Sequence, residues 1–134
     1  TVLPLAGLHL LLAEDNELNS EIATALLEEQ GASITAVENG RLALEAIQNA
    51  APRTYDAILM DVMMPEMNGL EATRCIRAFE GKGPGEGTPI IAMTANVFAD
   101  DVKACLDAGM NSHVGKPLDM KVLIGEILKY TDAR

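Results

Sequence analysis

The stretch Ala57-Ile58-Leu59-Met60-Asp61-Val62-Met63-Met64-Pro65 is the most informative part of the sequence, because it joins an apolar run to an acid and a chain-breaking proline. Four apolar residues that lead into Asp61 are typical of a strand that is buried on both faces and ends at a polar group. Three other segments have the same design, ending at Glu14-Asp15, at Thr94 and at Lys116-Pro117. Each of them places a charged or hydroxyl side chain where a predicted strand stops.

Helical patterns separate these apolar runs along the whole chain. We predict strands over 8–13, 33–37, 57–61, 90–94 and 113–115, and helices over 17–30, 41–49, 70–79, 99–108 and 120–130. Strict alternation of apolar strands and helices indicates an α/β fold with a parallel sheet that is covered on both faces. The predicted architecture is a (βα)₅, flavodoxin-like, doubly wound sheet with strand order 2-1-3-4-5 and right-handed crossovers.

The predicted strand order brings the acidic residues together. Strands 1 and 3 are neighbours in this order, and the chain reverses direction between them. Ligands of open α/β sheets bind beyond the carboxyl ends of the strands at such a switch point. Glu14 and Asp15 end strand 1 and Asp61 ends strand 3, so we expect three carboxylates to meet at one edge of the sheet.

Three converging carboxylates repel one another and raise one another's pKa unless a positive charge lies among them. Oxygen ligands alone suit a hard cation, and Mg²⁺ is the prediction. We expect Asp15 and Asp61 to bind it directly and Glu14 to bind it through water. The backbone carbonyl of Met63 is the expected fourth contribution from the protein.

A carboxylate beside such a metal can act as a nucleophile for phosphoryl transfer. The transition state carries its charge on the equatorial oxygens, so the protein's task is to position the group and neutralise that charge. With Asp61 as acceptor, Lys116 can bind one phosphoryl oxygen and the hydroxyl of Thr94 another. Ala95 leaves space for the incoming group, and a cis peptide before Pro117 would aim the ammonium.

Composition excludes several other classes of function. The chain has 134 residues, enough for one domain, and its net charge of −10 argues against nucleic-acid binding. No apolar stretch reaches the length of a membrane span, so we expect no direct membrane contact and, at the start, no signal peptide. Cys75 and Cys105 form no CxxC motif and indicate reduced thiols in a cytoplasmic setting. His9 and His113 have no metal-ligand spacing, which excludes a zinc site.

Each site residue also has an ordinary interpretation. The pair Glu14-Asp15 suits an acidic helix start, and Asp61 could cap a turn. Thr94 and Lys116 have no meaning alone; only the ordered placement of all five groups favours a site. The stretch 81–87 resembles a phosphate loop but lacks the GK[ST] ending and follows a helix, so we predict a surface loop there.

The sequence resembles the receiver (response-regulator) domains of two-component phosphorelays. The resemblance covers about 8–130 and rests on the motifs Leu12-Ala13-Glu14-Asp15-Asn16, 60–69, Met93-Thr94-Ala95 and Lys116-Pro117. It implies that Asp61 is the phosphoacceptor, that Glu14 and Asp15 are the acidic pair for Mg²⁺, that Thr94 is the switch hydroxyl and that Lys116 binds the phosphate. Residues 1–7 are then a linker remnant and 131–134 a tail.

The resemblance also implies a reaction and partners. The domain would take a phosphoryl group from the phosphohistidine of a kinase or phosphotransfer domain, catalysing its own phosphorylation and dephosphorylation. It would then change conformation or relay the group to a histidine phosphotransfer domain. We expect partners to dock near the first helix, and output to use the face around the fourth helix, His113 and the last helix.

Two stretches, 15–19 and 88–96, are similar to receivers at the C-terminus of hybrid sensor histidine kinases. The parent would then be anchored in the inner membrane; a stand-alone single-domain response regulator is the alternative. One position departs from the family pattern, because His113 stands where the family has a tyrosine or phenylalanine that takes part in the switch. Imidazole is smaller than the ring of either residue.

Two further classes of protein fit the sequence less well. An aspartyl-nucleophile phosphatase needs a second Asp two residues after the nucleophile, and that position is Met63. A flavodoxin-like cofactor binder needs a Ser/Thr-rich phosphate loop after strand 1. The acids Glu14 and Asp15 in that loop would repel the anion.

Overall fold

Five strands alternate with five helices in the computed structural model, which describes residues 3–95 and 99–131. They are β1 (His9–Ala13), α1 (Glu17–Glu29), β2 (Ser33–Val37), α2 (Gly40–Asn49), β3 (Ala57–Asp61), α3 (Gly69–Glu80), β4 (Ile90–Thr94), α4 (Ala99–Ala108), β5 (Ser112–Gly115) and α5 (Met120–Thr131). Three strands have the predicted bounds, and the other elements differ by one residue or less at either end. Asn96 and residues 132–134 of the predicted tail lie outside the described residues.

The strands form one parallel sheet in the order β2-β1-β3-β4-β5, which confirms the predicted fold class. In the register of β1 and β3, Ala13 lies beside Met60, so Glu14 follows at the level of Asp61. Asp61 in turn lies beside Met93 of β4. The switch point between β1 and β3 is therefore where the acidic residues are.

The core has two layers, one on each face of the sheet. Because successive strand residues point to opposite faces, Leu59 packs with Leu27 of α1 and Leu123 of α5. Its neighbour Ile58 packs on the other face, with Ile76 of α3 and residues of α2. β3 and β4 are buried along their whole length, as expected for the central strands of a sheet covered on both sides.

The buried face of α1 is not the one that its apolar spacing suggests. Leu18, Ile22, Ala25 and Leu26 share one face at helical spacing, but Ala23 and Leu27 are the buried residues of this helix. Leu18 is 64% exposed and Ile22 is 50% exposed. The helix has two apolar stripes, and packing against the sheet buries the one that carries Ala23 and Leu27. The Asn16 side chain caps the first turn by accepting from the Asn19 amide. One stripe therefore meets the sheet and the other meets solvent.

The segment before β1 packs back onto the domain. Leu5 is fully buried and belongs to the core layer that contains Leu27. Its amide donates to the carbonyl of Gln30 at 2.9 Å. Gly31 makes this approach possible, because an added Cβ would lie 2.9 Å from the Ala6 backbone and its φ is +100°.

An arginine that the sequence patterns did not single out binds the loops at the amino-terminal ends of β4 and β5. Arg77 of α3 is 9% exposed, and its Nε donates to the carbonyl of Gly109 at 2.8 Å. The two Nη atoms donate to the Thr88 carbonyl and to Asn111 Oδ1, each at 2.8 Å, while Nη1 also pairs with Glu80. The loops before β4 and β5 are thereby tied to α3, at the end of the sheet opposite the acids.

Polar side chains cap the starts of two helices. Asp119 is a typical N-cap residue, and its Oδ1 accepts from the Lys121 amide at the start of α5 at 3.0 Å. At the start of α3, Asn68 forms a reciprocal capping box with Glu71. Within 3–95 and 99–131, no helix has the length and apolar character that crossing a membrane requires.

Candidate functional site

Three carboxylates, two that follow β1 directly and one at the end of β3, meet at the carboxyl edge of the sheet. Glu14, Asp15 and Asp61 each offer an oxygen, and these oxygens lie within 4.8 Å of one another. Glu14 and Asp61 are buried, whereas Asp15 is exposed to solvent. The topology brings together the acids that the sequence predicted to meet there.

Lys116 binds two of these acids from the far side of the sheet. Its Nζ lies 3.0 Å from Asp61 Oδ2 and 3.1 Å from Glu14 Oε1. The peptide bond between Lys116 and Pro117 is cis, as predicted. The Lys116 amide donates to the carbonyl of Thr94 at 2.9 Å, which ties the strand ends of β4 and β5 together.

The charges at this edge do not balance without an added cation. Burial is the main reason that the pKa of Glu14 rises from its ordinary 4.5 to about 7, and the neighbouring Asp61 carboxyl raises it further. The contact with Lys116 lowers this pKa and offsets part of the increase. Burial lowers the pKa of Lys116, but its bonds to Asp61 and Glu14 more than offset this, so its pKa is raised. One ammonium faces three carboxylates, which leaves a net negative charge.

Glu14 also has an unused ligand atom. Among the described residues, Glu14 Oε2 is the buried side-chain oxygen that has no hydrogen-bond partner. An unpartnered buried carboxylate oxygen costs free energy unless a proton or a cation occupies its vicinity. An all-oxygen donor set with excess negative charge suits a hard divalent cation, so these residues fit Mg²⁺.

The loop after β3 shapes the other side of the site. The Met63 amide donates to Asp61 Oδ1 at 3.3 Å, which orients that carboxylate. The Met63 side chain is 77% exposed and leaves the mouth of the site open. The Gly69 amide donates to the carbonyl of Val62 at 3.0 Å and closes the loop onto α3.

The remaining predicted residues divide into two places. Thr94 is buried at the end of β4, on the same sheet edge as Asp61, and exposed Ala95 follows it. His113 lies lower in the sheet, half-buried on β5 beside Ala92. The structure therefore brings Thr94 to the strand ends where the acids lie but keeps His113 away from them.

A groove next to the site was not predicted. It has a volume of about 540 Å³ and lies between α1 and the segment after β5. Its lining includes Ile22, Leu26, Glu14, Lys116 and Leu118. The signal that could have revealed the groove was the second apolar stripe of α1, because the sheet can cover only one of the two stripes.

The raised pKa of Glu14 makes stability depend on pH in the absence of metal. Because the folded protein binds a proton more tightly than the unfolded chain, raising the pH from about 4.5 through 7 removes stability. We expect the free energy of unfolding in Mg²⁺-free buffer to fall by up to about 1 kcal/mol per pH unit in this window. Urea unfolding at several pH values would measure it. Glu14→Gln should flatten the profile, and an equal slope in that variant would refute this origin.

Comparison with known proteins gives one consistent family. The model of the response regulator receiver domain matches residues 10–128. A probable histidine kinase 1 of Oryza sativa subsp. indica is 41% identical over 140 residues, which include 84% of this chain. The chain spans 14% of the length of that kinase.

Two solved structures have the same fold over nearly the whole chain. One is the receiver domain of the sensor histidine kinase PA1611 from Pseudomonas aeruginosa PAO1, with a magnesium ion coordinated in its active-site cleft. It is 38% identical, with a TM-score of 0.81, and the match covers 95% of this chain and 99% of that one. The other is the receiver domain of the Saccharomyces cerevisiae response regulator Ssk1, in complex with the histidine phosphotransfer protein Ypd1. It is 25% identical, with a TM-score of 0.84, and the match covers 96% and 91% of the two chains.

Proposed function

The chain belongs to the response regulator receiver domain family, and from this premise we propose that Asp61 accepts a phosphoryl group from a phosphohistidine. The observation that supports this assignment most is the contact of Asp61 with a lysine ammonium at 3.0 Å, inside a cluster of three acids. We assign the Mg²⁺ site to Glu14, Asp15, Asp61 and the backbone carbonyl of Met63.

In the transfer step, a carboxylate oxygen of Asp61 forms a bond to phosphorus while the bond from phosphorus to the donor imidazole nitrogen breaks. The electron pair leaves with the imidazole. Lys116, already beside Asp61, binds a phosphoryl oxygen, and the Thr94 hydroxyl donates to a second. Bound Mg²⁺ supplies neutralising charge to the phosphoryl oxygens. The exposed side of the site, at Asp15 and Ala95, is where the group enters.

The exposed stripe of α1 is the proposed docking surface for the donor. Leu18 and Ile22 are large apolar side chains that are at least half exposed, next to the groove that leads to Lys116. A phosphohistidine can approach Asp61 only if its carrier covers this edge of the sheet. The yeast receiver Ssk1, which is a relative, forms a complex with a histidine phosphotransfer protein.

Substitution on this stripe tests the docking surface and the donor class together. We expect Ile22→Glu to slow phosphoryl transfer from a phosphohistidine-bearing phosphotransfer domain by about ten-fold or more, since it places a charge in a desolvated contact. Phosphorylation by a small phosphodonor should be unchanged. Val122→Glu on α5, where Val122 is 52% exposed, is the matched control and should transfer normally. Equal slowing by both variants, or by neither, would argue against this surface.

The parent of this chain is, in our proposal, a hybrid sensor histidine kinase anchored in the inner membrane. The kinase relatives support a histidine kinase as the parent, and the free thiols Cys75 and Cys105 suit a cytoplasmic domain. Residues 8–130 then form the receiver domain, 1–7 come from the linker before it and 131–134 form a tail. The linker residues Leu3 to Gly7 pack against the domain, and Leu5 among them is buried in the core.

His113 is the proposed packing element of the switch. It is half-buried on β5, beside the strand that ends at Thr94. When Thr94 moves to the phosphoryl group, His113 turns inward, as a shift between two existing states. The measurement is partner affinity with and without phosphorylation, in wild type and in His113→Tyr. We expect the ratio of the two affinities to differ between the proteins, and an unchanged ratio would dispose of the idea.

A further inference from the structure

We propose that the amino-terminal turn of α2, residues 39–41, positions the phosphoacceptor loop, residues 62–68, with Gly40 as the positioning residue. The inference rests on the proposed function, because this loop carries the Met63 carbonyl and follows Asp61. Gly40 has no side chain and takes no direct part in the chemistry. Its role is to let two backbone segments approach more closely than any other residue would allow.

The contact itself is a backbone hydrogen bond across a very short gap. The Gly40 amide donates to the carbonyl of Met67 at 2.9 Å. A Cβ added to Gly40 would lie 2.3 Å from that carbonyl oxygen, 2.9 Å from the Asn68 carbonyl oxygen and 2.9 Å from Ala72 Cβ. Two of these three neighbours are backbone atoms, which cannot rotate away. Even alanine would therefore push the loop and α2 apart.

Two side chains hold the same junction from either side of Gly40. Asn39 is buried, and its Oδ1 accepts from the Leu42 amide at 2.8 Å, which fixes the first turn of α2. Arg41 reaches the loop directly, with Nη2 3.1 Å from Glu66 Oε2. Glu66 has a φ of +65°, an uncommon conformation for a residue with a side chain. Because the Arg41–Glu66 pair is more than half exposed, we expect it to contribute less than the Gly40 contact.

Further contacts hold the loop at its start and near its end. At the start, Gly69 packs beneath the acceptor, since a Cβ there would lie 2.3 Å from the Asp61 carbonyl oxygen. Near the end, the Met67 amide donates to the Pro65 carbonyl at 2.7 Å, and the Met67 carbonyl accepts from the Gly40 amide. A displacement at Gly40 is therefore transmitted along a short, hydrogen-bonded segment to Met63. Small misplacements of a site residue reduce catalysis steeply.

Gly40→Ala tests the role, and Gly125→Ala is its matched control. Gly125 lies in α5, and an added Cβ there meets nothing within 4 Å. In Mg²⁺-free buffer, we expect Gly40→Ala to speed amide hydrogen exchange in 62–69 by about ten-fold or more, with Gly125→Ala at the wild-type rate. With a small phosphodonor, we expect Gly40→Ala to raise the Mg²⁺ concentration for half-maximal phosphorylation by about ten-fold, and to change the rate at saturating Mg²⁺ less.

The outcomes separate the two proposals. Wild-type exchange and wild-type Mg²⁺ dependence in folded Gly40→Ala would overturn the positioning role. A wild-type chain that takes no phosphoryl group would instead refute the proposed function, and the exchange comparison would stand. If Gly40→Ala does not fold, Glu66→Gln replaces it, with Glu45→Gln as control because Glu45 also pairs with Arg41. Loop exchange about two-fold faster in Glu66→Gln alone is the expected result, and equal exchange in both overturns the role.

Discussion

We expect Asp61→Asn to abolish phosphorylation of the chain. The amide keeps the shape of the carboxylate but is not a nucleophile, so no acyl phosphate can form. The variant should remain folded, because repulsion from Asp61 raises the pKa of Glu14 and the substitution removes that repulsion. Incubation with a radiolabelled phosphohistidine donor and Mg²⁺, followed by gel separation, measures the transfer.

The control for this experiment is an aspartate outside the site. Asp107 of α4 is exposed and pairs with Lys103 at 3.0 Å. Asp107→Asn should accept label as wild type does. Label retained in Asp61→Asn would mean that another residue is the acceptor, and label lost in both variants would point to a general effect of altered charge.

Lys116→Met is the second substitution for which we expect a large loss of phosphorylation. We expect the phosphorylation rate to fall by about a hundred-fold to a thousand-fold, which is the usual loss when a group that stabilises transition-state charge is removed. The ammonium lies within 3.1 Å of both buried acids, so among the residues that the structure describes no other cation is as well placed to bind the incoming phosphoryl oxygen. Lys103→Met is the matched control, because Lys103 is an exposed lysine of α4 that pairs with one acid.

The same substitution changes the metal-free protein. Lys116 lowers the pKa of Glu14, so its removal should raise that pKa further and leave two buried carboxylates without a counter-ion. We therefore expect Lys116→Met to be less stable than wild type at pH 8 without Mg²⁺. Initial phosphorylation rates of the folded variant at saturating Mg²⁺ separate catalysis from stability. A rate within about two-fold of wild type would rule out a direct role for the ammonium.

The sheet and the site could be predicted because they depend on local patterns. Apolar runs that end at charged residues locate both the strands and their carboxyl ends, and strand order then follows from alternation. Asp61 and Glu14 are 47 residues apart in the chain, yet topology alone places them at one edge. No knowledge of side-chain contacts was needed for that prediction.

Other features depend on packing between distant elements and leave no local signal. The buried face of α1 could not be predicted from the sequence, because two apolar stripes fit the same helical period. Only tertiary packing chooses Leu27 over Ile22 as the buried residue. In the sequence, Gly40 indicates only the start of a helix. Its close contact with the Met67 carbonyl forms only when α2 and α3 pack side by side. Arg77 reads as a surface residue of a helix, although it is buried and fully engaged with neighbouring loops.

Intact mass, with the modified residue located by fragmentation, shows whether Asp61 accepts the phosphoryl group and whether it needs Mg²⁺. The chain is incubated with a small phosphodonor, with Mg²⁺ in one sample and with a metal chelator in the other. We predict the added mass of one phosphoryl group, located on Asp61, in the Mg²⁺ sample and almost none with chelator. Equal modification in both samples, or a phosphoryl group on any other residue, would contradict it.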